Sequence, residues 1–153
     1  EFTVLVFSKT LMFRHASITN GIVAIEKLGM ENGFFVEATE DANWFTPTNL
    51  ARYKAVIFLS TSGDILNDEQ QRAFREFIER GGGLVGIHAA VAGDVATEGG
   101  WPWYGETLCA HFTNHSAITF PFSQWRSMRR CNVFRPRNTR KQSCGPGTAP
   151  QLF

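Results

Sequence analysis

Gly83-Leu84-Val85-Gly86-Ile87-His88-Ala89-Ala90 is the stretch from which the fold is read. A short apolar run leaves the glycine triplet Gly81-Gly82-Gly83, crosses Gly86, and stops at one polar side chain flanked by small residues. That is the pattern of a nucleophile elbow, a sharp strand-to-helix turn that exposes one side chain at a sheet edge. Small neighbours are required because a bulky residue would collide with the incoming helix. Hydrolases of this general kind place Ser or Cys at the exposed position, and here it is His88. Imidazole suits proton transfer or metal ligation better than acyl transfer. A hydrogen-bonded, inert histidine after a parallel strand fits the motif equally well.

The flanking segments weigh between these accounts. Thr3-Val4-Leu5-Val6-Phe7 is apolar throughout and rich in β-branched residues, as expected of a strand covered on both faces. Ser8 to His15 reads as a loop. Ile18, Ile22, Ile25 and Leu28 then recur at helical spacing, with Gly33 as the stop. Phe34 to Ala38 and Ala55 to Leu59 read as strands two and three, joined by a short connection. Asn67 is an N-cap with Gln70 at the capping-box position, and Phe74, Phe77 and Ile78 form the apolar stripe of the helix that follows. Gly81-Gly82-Gly83 ends that helix, and Leu84 to Ile87 is strand four. Strand, helix, strand, connection, strand, helix, strand predicts an α/β fold with a doubly wound parallel sheet.

In such sheets ligands bind beyond the carboxyl ends of the strands. Those ends carry Ser8, then Glu40 and Asp41, then Ser60, Thr61 and Asp64, then His88. Asn32, Arg52 and Arg80, at the amino ends, form no comparable polar cluster. The asymmetry favours a site at the elbow.

Four segments together resemble the ThuA-like (trehalose-utilisation) family. They are Val4-Leu5-Val6-Phe7-Ser8 with Phe13-Arg14-His15-Ala16-Ser17-Ile18, then Phe58 to Asp64, then Gly81 to Ala89, and Trp101-Pro102-Trp103-Tyr104-Gly105 with Phe112-Thr113-Asn114-His115. The resemblance covers residues 3 to about 118. It implies a flavodoxin-like, three-layer α/β/α sheet of the class I glutamine amidotransferase-like type, truncated here at its C-terminal side. It also implies an association with sugar utilisation, without a defined reaction. Glutaminase activity is excluded: glutamine hydrolysis needs a thiolate at the elbow, and His88 stands there, as is usual for the family. Cys109, in a segment that Leu108 and Phe112 mark as a packed helix, reads as a small buried residue.

The resemblance places functional weight on His15, His88 and His115, while His111 matches no motif position. Converging on one edge with Asp64, these histidines make an acid/base set whose catalytic members are His88, Asp64 and His15, with His88 moving the proton, Asp64 orienting it and His15 binding or polarising the substrate. Under that reading His115, Ser60, Thr61, Glu40 and Asp41 contact the substrate. The same histidines suit zinc. The expectation is nevertheless no metal and no cofactor, with zinc the weaker alternative.

Trp103 and Tyr104, with Trp101, are expected as a stacking platform for a sugar ring, and Trp44 and Phe45 lie near the same crevice. Their competing role is as cover for a small core. The loop Gly93 to Gly100 is expected to act as a lid, with Asp94 a further candidate for the site.

The last third of the chain differs in composition. All 14 acidic residues lie at or before Glu106, so residues 1–119 carry 8 basic and 14 acidic residues, a charge of −6. Residues 120–153 carry six Arg, one Lys and no acid, a charge of +7. That composition, with four of the six prolines, is what a GC-rich coding region yields out of frame, and the segment is expected to be disordered or poorly packed. The start at Glu1 instead of Met is read as a sign of a fragment. The basic residues do not alternate with aromatics on a defined element, so no nucleic-acid partner is expected. No apolar run spans a membrane and no signal peptide is visible, so a cytoplasmic location is expected. The expected partner is a small-molecule carbohydrate, and nothing assigns an oligomeric state. Two function classes result: an enzyme on a sugar or keto-sugar, of hydrolase or lyase type, or a non-catalytic carbohydrate-binding or regulatory module.

Overall fold

The computed structural model describes residues 1–91, 100–108 and 132–134, and the apolar runs within them form one sheet. β1 (Phe2–Phe7), β2 (Phe34–Thr39), β3 (Ala55–Leu59) and β4 (Gly83–Ile87) are all parallel and lie in the order β2-β1-β3-β4. The chain leaves β1 for β2 on one side and returns to place β3 on the other. The carboxyl ends therefore part beside β1, which is where an open α/β sheet forms its binding crevice. The parallel, helix-flanked sheet is the α/β fold expected from the run pattern.

Beyond β4 lies β5 (Asn132–Phe134), antiparallel to it, with Val133 opposite Val85. These three residues belong to the basic segment, where no strand was expected. The expected domain boundary at residue 119 and the rest of that segment lie outside the described residues.

Alternation along the strands feeds two cores, as a pleat requires. On one face Val6, Leu59 and the partly buried Ile57 and Ile87 pack against Ile18, Ile22 and Ile25 of α1 (Ile18–Asn32). On the other, Leu5, Phe7, Val56, Phe58 and Leu84 meet α2 (Pro47–Leu50), α3 (Asp68–Glu79) and α4 (Pro102–Leu108). Helices on both faces are what make the sheet doubly wound.

α1 ends where expected, on Gly33 at φ 72°, a left-handed conformation that glycine adopts without steric cost. Leu28, expected in its buried stripe, is instead exposed. The stripe continues through Gly29, because 3.6 residues per turn carry Ile18, Ile22 and Ile25 on to position 29. Only glycine fits there, since a Cβ would lie 2.6 Å from the Phe34 carbonyl oxygen. α3 carries the full capping box: Asn67 accepts from the Gln70 amide, and the Gln70 side chain accepts from the Asn67 amide, both at 3.0 Å.

The β2–β3 connection is more structured than its sequence implied. Asp41 caps a 3-10 turn over Ala42–Trp44 by accepting from the Asn43 amide, and Thr46 caps α2, with Pro47 at its first position. Phe45 is thereby buried edge-on against Phe7, so it is a core residue and not a neighbour of the crevice. Arg52 pairs with Glu37 on β2 at 2.8 Å. Glu37 also accepts from the Tyr53 hydroxyl. Burial first, then this bond and the Glu37 charge, push the Tyr53 pKa upward, so its phenol remains protonated.

Candidate functional site at the carboxyl edge

Two residues without the freedom of glycine sit in left-handed backbone at adjacent strand ends: Ser60 after β3 (φ 51°) and His88 after β4 (φ 56°). Such conformations cost on the order of 1–3 kcal/mol each and persist only where the surroundings enforce them. Here the Ser60 amide donates to the Ile87 carbonyl at 3.0 Å, fastening the two bends together. After His88 the chain coils into a 3-10 turn, His88–Val91. Gly86 makes room for α4, since a Cβ there would lie 3.1 Å from Leu108. This is the crowding that the small residues of the elbow anticipate.

The His88 side chain is exposed and meets His15, from the β1–α1 loop, edge-to-face with ring centroids 4.4 Å apart at 86°. On its other side His15 touches the Phe13 ring, 4.8 Å away at 81°. Among the described residues, His15 Nδ1 is buried and has no hydrogen-bond partner. Nor has Thr61 Oγ1, on a residue that is fully buried. Buried polar atoms are normally paired, so each orphan is a place where a ligand or water belongs.

Burial, and secondarily the charge of His88, hold the His15 pKa below the ordinary 6.5. The unfolded chain therefore takes up a proton at this position at higher pH than the folded one. Stability linked to His15 is complete above pH 6.5 and is lost as pH falls through that value toward the folded pKa. We expect the His15 ring resonances in NMR to titrate below pH 6.5. Titration at or above 6.5 would contradict the arrangement described here.

The acidic residues expected beside this pair occupy a neighbouring cleft of about 440 Å³, lined by Lys9, Glu40, Asp41, Asn43, Asp64 and Asn67 among others. Neither His15 nor His88 lines it. Among the described residues no hydrogen bond or ion pair joins Asp64 to His88, and Asp64 lines the cleft, which His88 does not. Glu40 is ion-paired with Arg14 at 2.6 Å. Arg14 directly precedes His15 in sequence and so links the cleft wall to the loop that carries the imidazole.

The expected aromatic platform is also revised. Tyr104 is a core residue, 3% exposed, stacked on Trp101 at 5.2 Å and touching Phe58, with its hydroxyl donating to the Ala90 carbonyl at 2.9 Å. Trp103 packs edge-on against Phe74 under the Arg75 guanidinium. Both serve as cover for the core. Among the described residues no three His, Cys, Asp or Glu are grouped to hold a metal ion. His115, the third member of the expected histidine set, lies outside the described residues, as do His111, Cys109, Asp94 and most of the expected lid. No helix among the described residues is long and apolar enough to cross a membrane.

Lys9, Arg14, Asn43 and Asn67 were not anticipated at the site. Lys9 and Arg14 were discoverable, standing in the loop directly after β1. Asn43 and Asn67 were masked by their roles at helix ends.

A family model described as ThuA, trehalose utilisation, matches residues 3–140. The match runs past residue 119 into the basic segment. Among solved structures, the chain is similar to a ThuA-like protein from Bacteroides uniformis ATCC 8492, at 28% identity and a TM-score of 0.58. The similarity covers 70% of this chain but 43% of that one, so the chain spans less than half the length of its structural relative. No curated protein matches the chain.

Proposed function

Because the chain belongs to the ThuA, trehalose-utilisation, family, we propose that it acts on a sugar or keto-sugar through the His15–His88 pair. The observation that carries this is the buried, unpartnered Nδ1 of His15 against an exposed imidazole held in left-handed backbone. A lowered pKa keeps His15 neutral near pH 7, so the pair combines a proton acceptor with a second imidazole free to exchange protons with a bound ligand. A keto-sugar suits such a pair. Its carbonyl acidifies the adjacent C–H, one imidazole takes that proton, and the other supports the developing oxygen charge. Hydrolysis by two facing carboxylates is less well supported, because Glu40 is committed to Arg14 and Asp41 to capping the Asn43 turn. In this reading the neighbouring cleft, with Asp64, Asn43, Asn67 and Lys9, offers acceptors and donors to sugar hydroxyls, while Ser60 and Thr61, both buried, follow β3 at the same edge.

One observation favours the second reading, a binding or regulatory module: among the described residues no carboxylate is joined to His88 to orient it, as an acid/base residue would require. Incubating the protein with trehalose and with its keto derivatives, with and without a divalent metal, separates the two. Conversion of any of these sugars supports an enzyme. Binding without conversion assigns a module, and neither binding nor conversion would sink the carbohydrate reading altogether.

A further inference from the structure

We propose that Phe13 is the apolar platform of this site, on which the C–H face of a pyranose ring packs while its polar edge meets His15 and His88. The proposal rests on the carbohydrate reading above and adds the surface that recognises the ring. Leu11, Met12 and Phe13 form a run of three large apolar side chains in water, 58%, 61% and 70% exposed. Apolar surface gathered beside a polar site is a mark of ligand contact.

The run is also fixed in place. Thr10 pairs with Ser62 as a parallel bridge, the Leu11 amide donates to the Ser62 carbonyl at 2.8 Å, and the Ser62 hydroxyl donates to the Phe13 carbonyl at 3.1 Å. Gly63, at φ 85°, closes the contact, since a Cβ there would stand 2.9 Å from Leu11 Cβ. The loop after β1 is thus clamped to the loop after β3, and the Phe13 ring is held against His15 in advance of any ligand. Preorganisation of this kind spares a bound sugar the entropy of ordering its own platform.

Among the described residues, the other aromatic side chains near this edge are already occupied. Tyr104 and Trp101 stack on each other, Trp103 lies under Arg75, Phe45 is buried, and Trp44 is partly buried beneath Arg52. Phe13 is left with its surface open directly beside the imidazole pair. A pyranose ring has the matching character, with one face of C–H bonds and an edge of hydroxyls. Aromatic faces carry partial negative charge that attracts polarised C–H groups.

The test uses the full chain, trehalose as the probe, and two variants, Phe13→Ala and Phe13→Trp. Calorimetric titration is expected to show a Kd roughly tenfold higher for Phe13→Ala and one at or below wild type for Phe13→Trp. Saturation-transfer NMR should mark the C–H protons of one ring face in wild type and lose that pattern in Phe13→Ala. Melting temperatures should coincide, because the side chain is exposed. Equal trehalose binding by wild type and Phe13→Ala would overturn this proposal and leave the carbohydrate reading standing. No binding by wild type of trehalose or of its keto derivatives would overturn both. A change in oligomeric state on Phe13→Ala, with trehalose binding unchanged, would assign the apolar run to self-association and overturn the proposal.

Discussion

His88→Asn is expected to lower turnover of a keto-sugar substrate about 10²–10⁴-fold, the usual contribution of one acid/base group, with the fold intact. Asparagine is chosen because position 88 has φ 56°, a region that Asn tolerates and most side chains do not. The residue is exposed and its ring packs on His15, so its exchange removes little packed volume, and the melting temperature should move by little more than a surface substitution causes. The same variant has a spectroscopic signature. Removing the His88 charge should let the His15 pKa rise toward 6.5 without reaching it, because burial is the larger cause of the depression and remains. Unchanged turnover together with an unmoved His15 titration would show that the two imidazoles do not act as a pair.

Phe58→Ala is expected to cost about 3–5 kcal/mol of stability, the range for an aromatic side chain lost from a packed core. Phe58 is fully buried on β3 and meets four other rings: Phe7 at 5.6 Å, Phe45 at 5.9 Å, and Phe74 and Tyr104 both at 5.2 Å. Those rings come from β1, the β2–β3 connection, α3 and α4, so a void at Phe58 loosens four segments at once. Against a typical total of about 5–15 kcal/mol, the loss should shift the urea midpoint far enough to populate unfolded chain under mild conditions. A change below about 1 kcal/mol would mean that the cluster relaxes to fill the space, and that Phe58 is not its centre.

What the sequence determined by itself was the sheet and its punctuation. Short continuous apolar runs rich in β-branched residues suit strands covered on both faces, so Val4 to Phe7 and Ala55 to Leu59 point to parallel pairing and helices on either side. Asn67, Gln70 and Gly33 act on their own neighbours within a turn, and such local signals survive any tertiary context. The elbow was legible for the same reason: the glycines and alanines around His88 answer a local steric demand. The grouping of the site residues was decided only by the tertiary structure. Placement at a carboxyl edge says that Asp64 and His88 are near one another, but the direction in which each loop folds assigns Asp64 to the cleft and His15 to the imidazole. The aromatic side chains divide likewise. Trp103, Tyr104 and Phe13 are alike as hydrophobic residues, and the seating of α4 on Phe58 and Phe74 buries one and covers another. Ser62 and Gly63, by contrast, hold the loop that leaves Phe13 in water. Burial depends on contacts between segments distant along the chain, and no period or spacing within one segment encodes it.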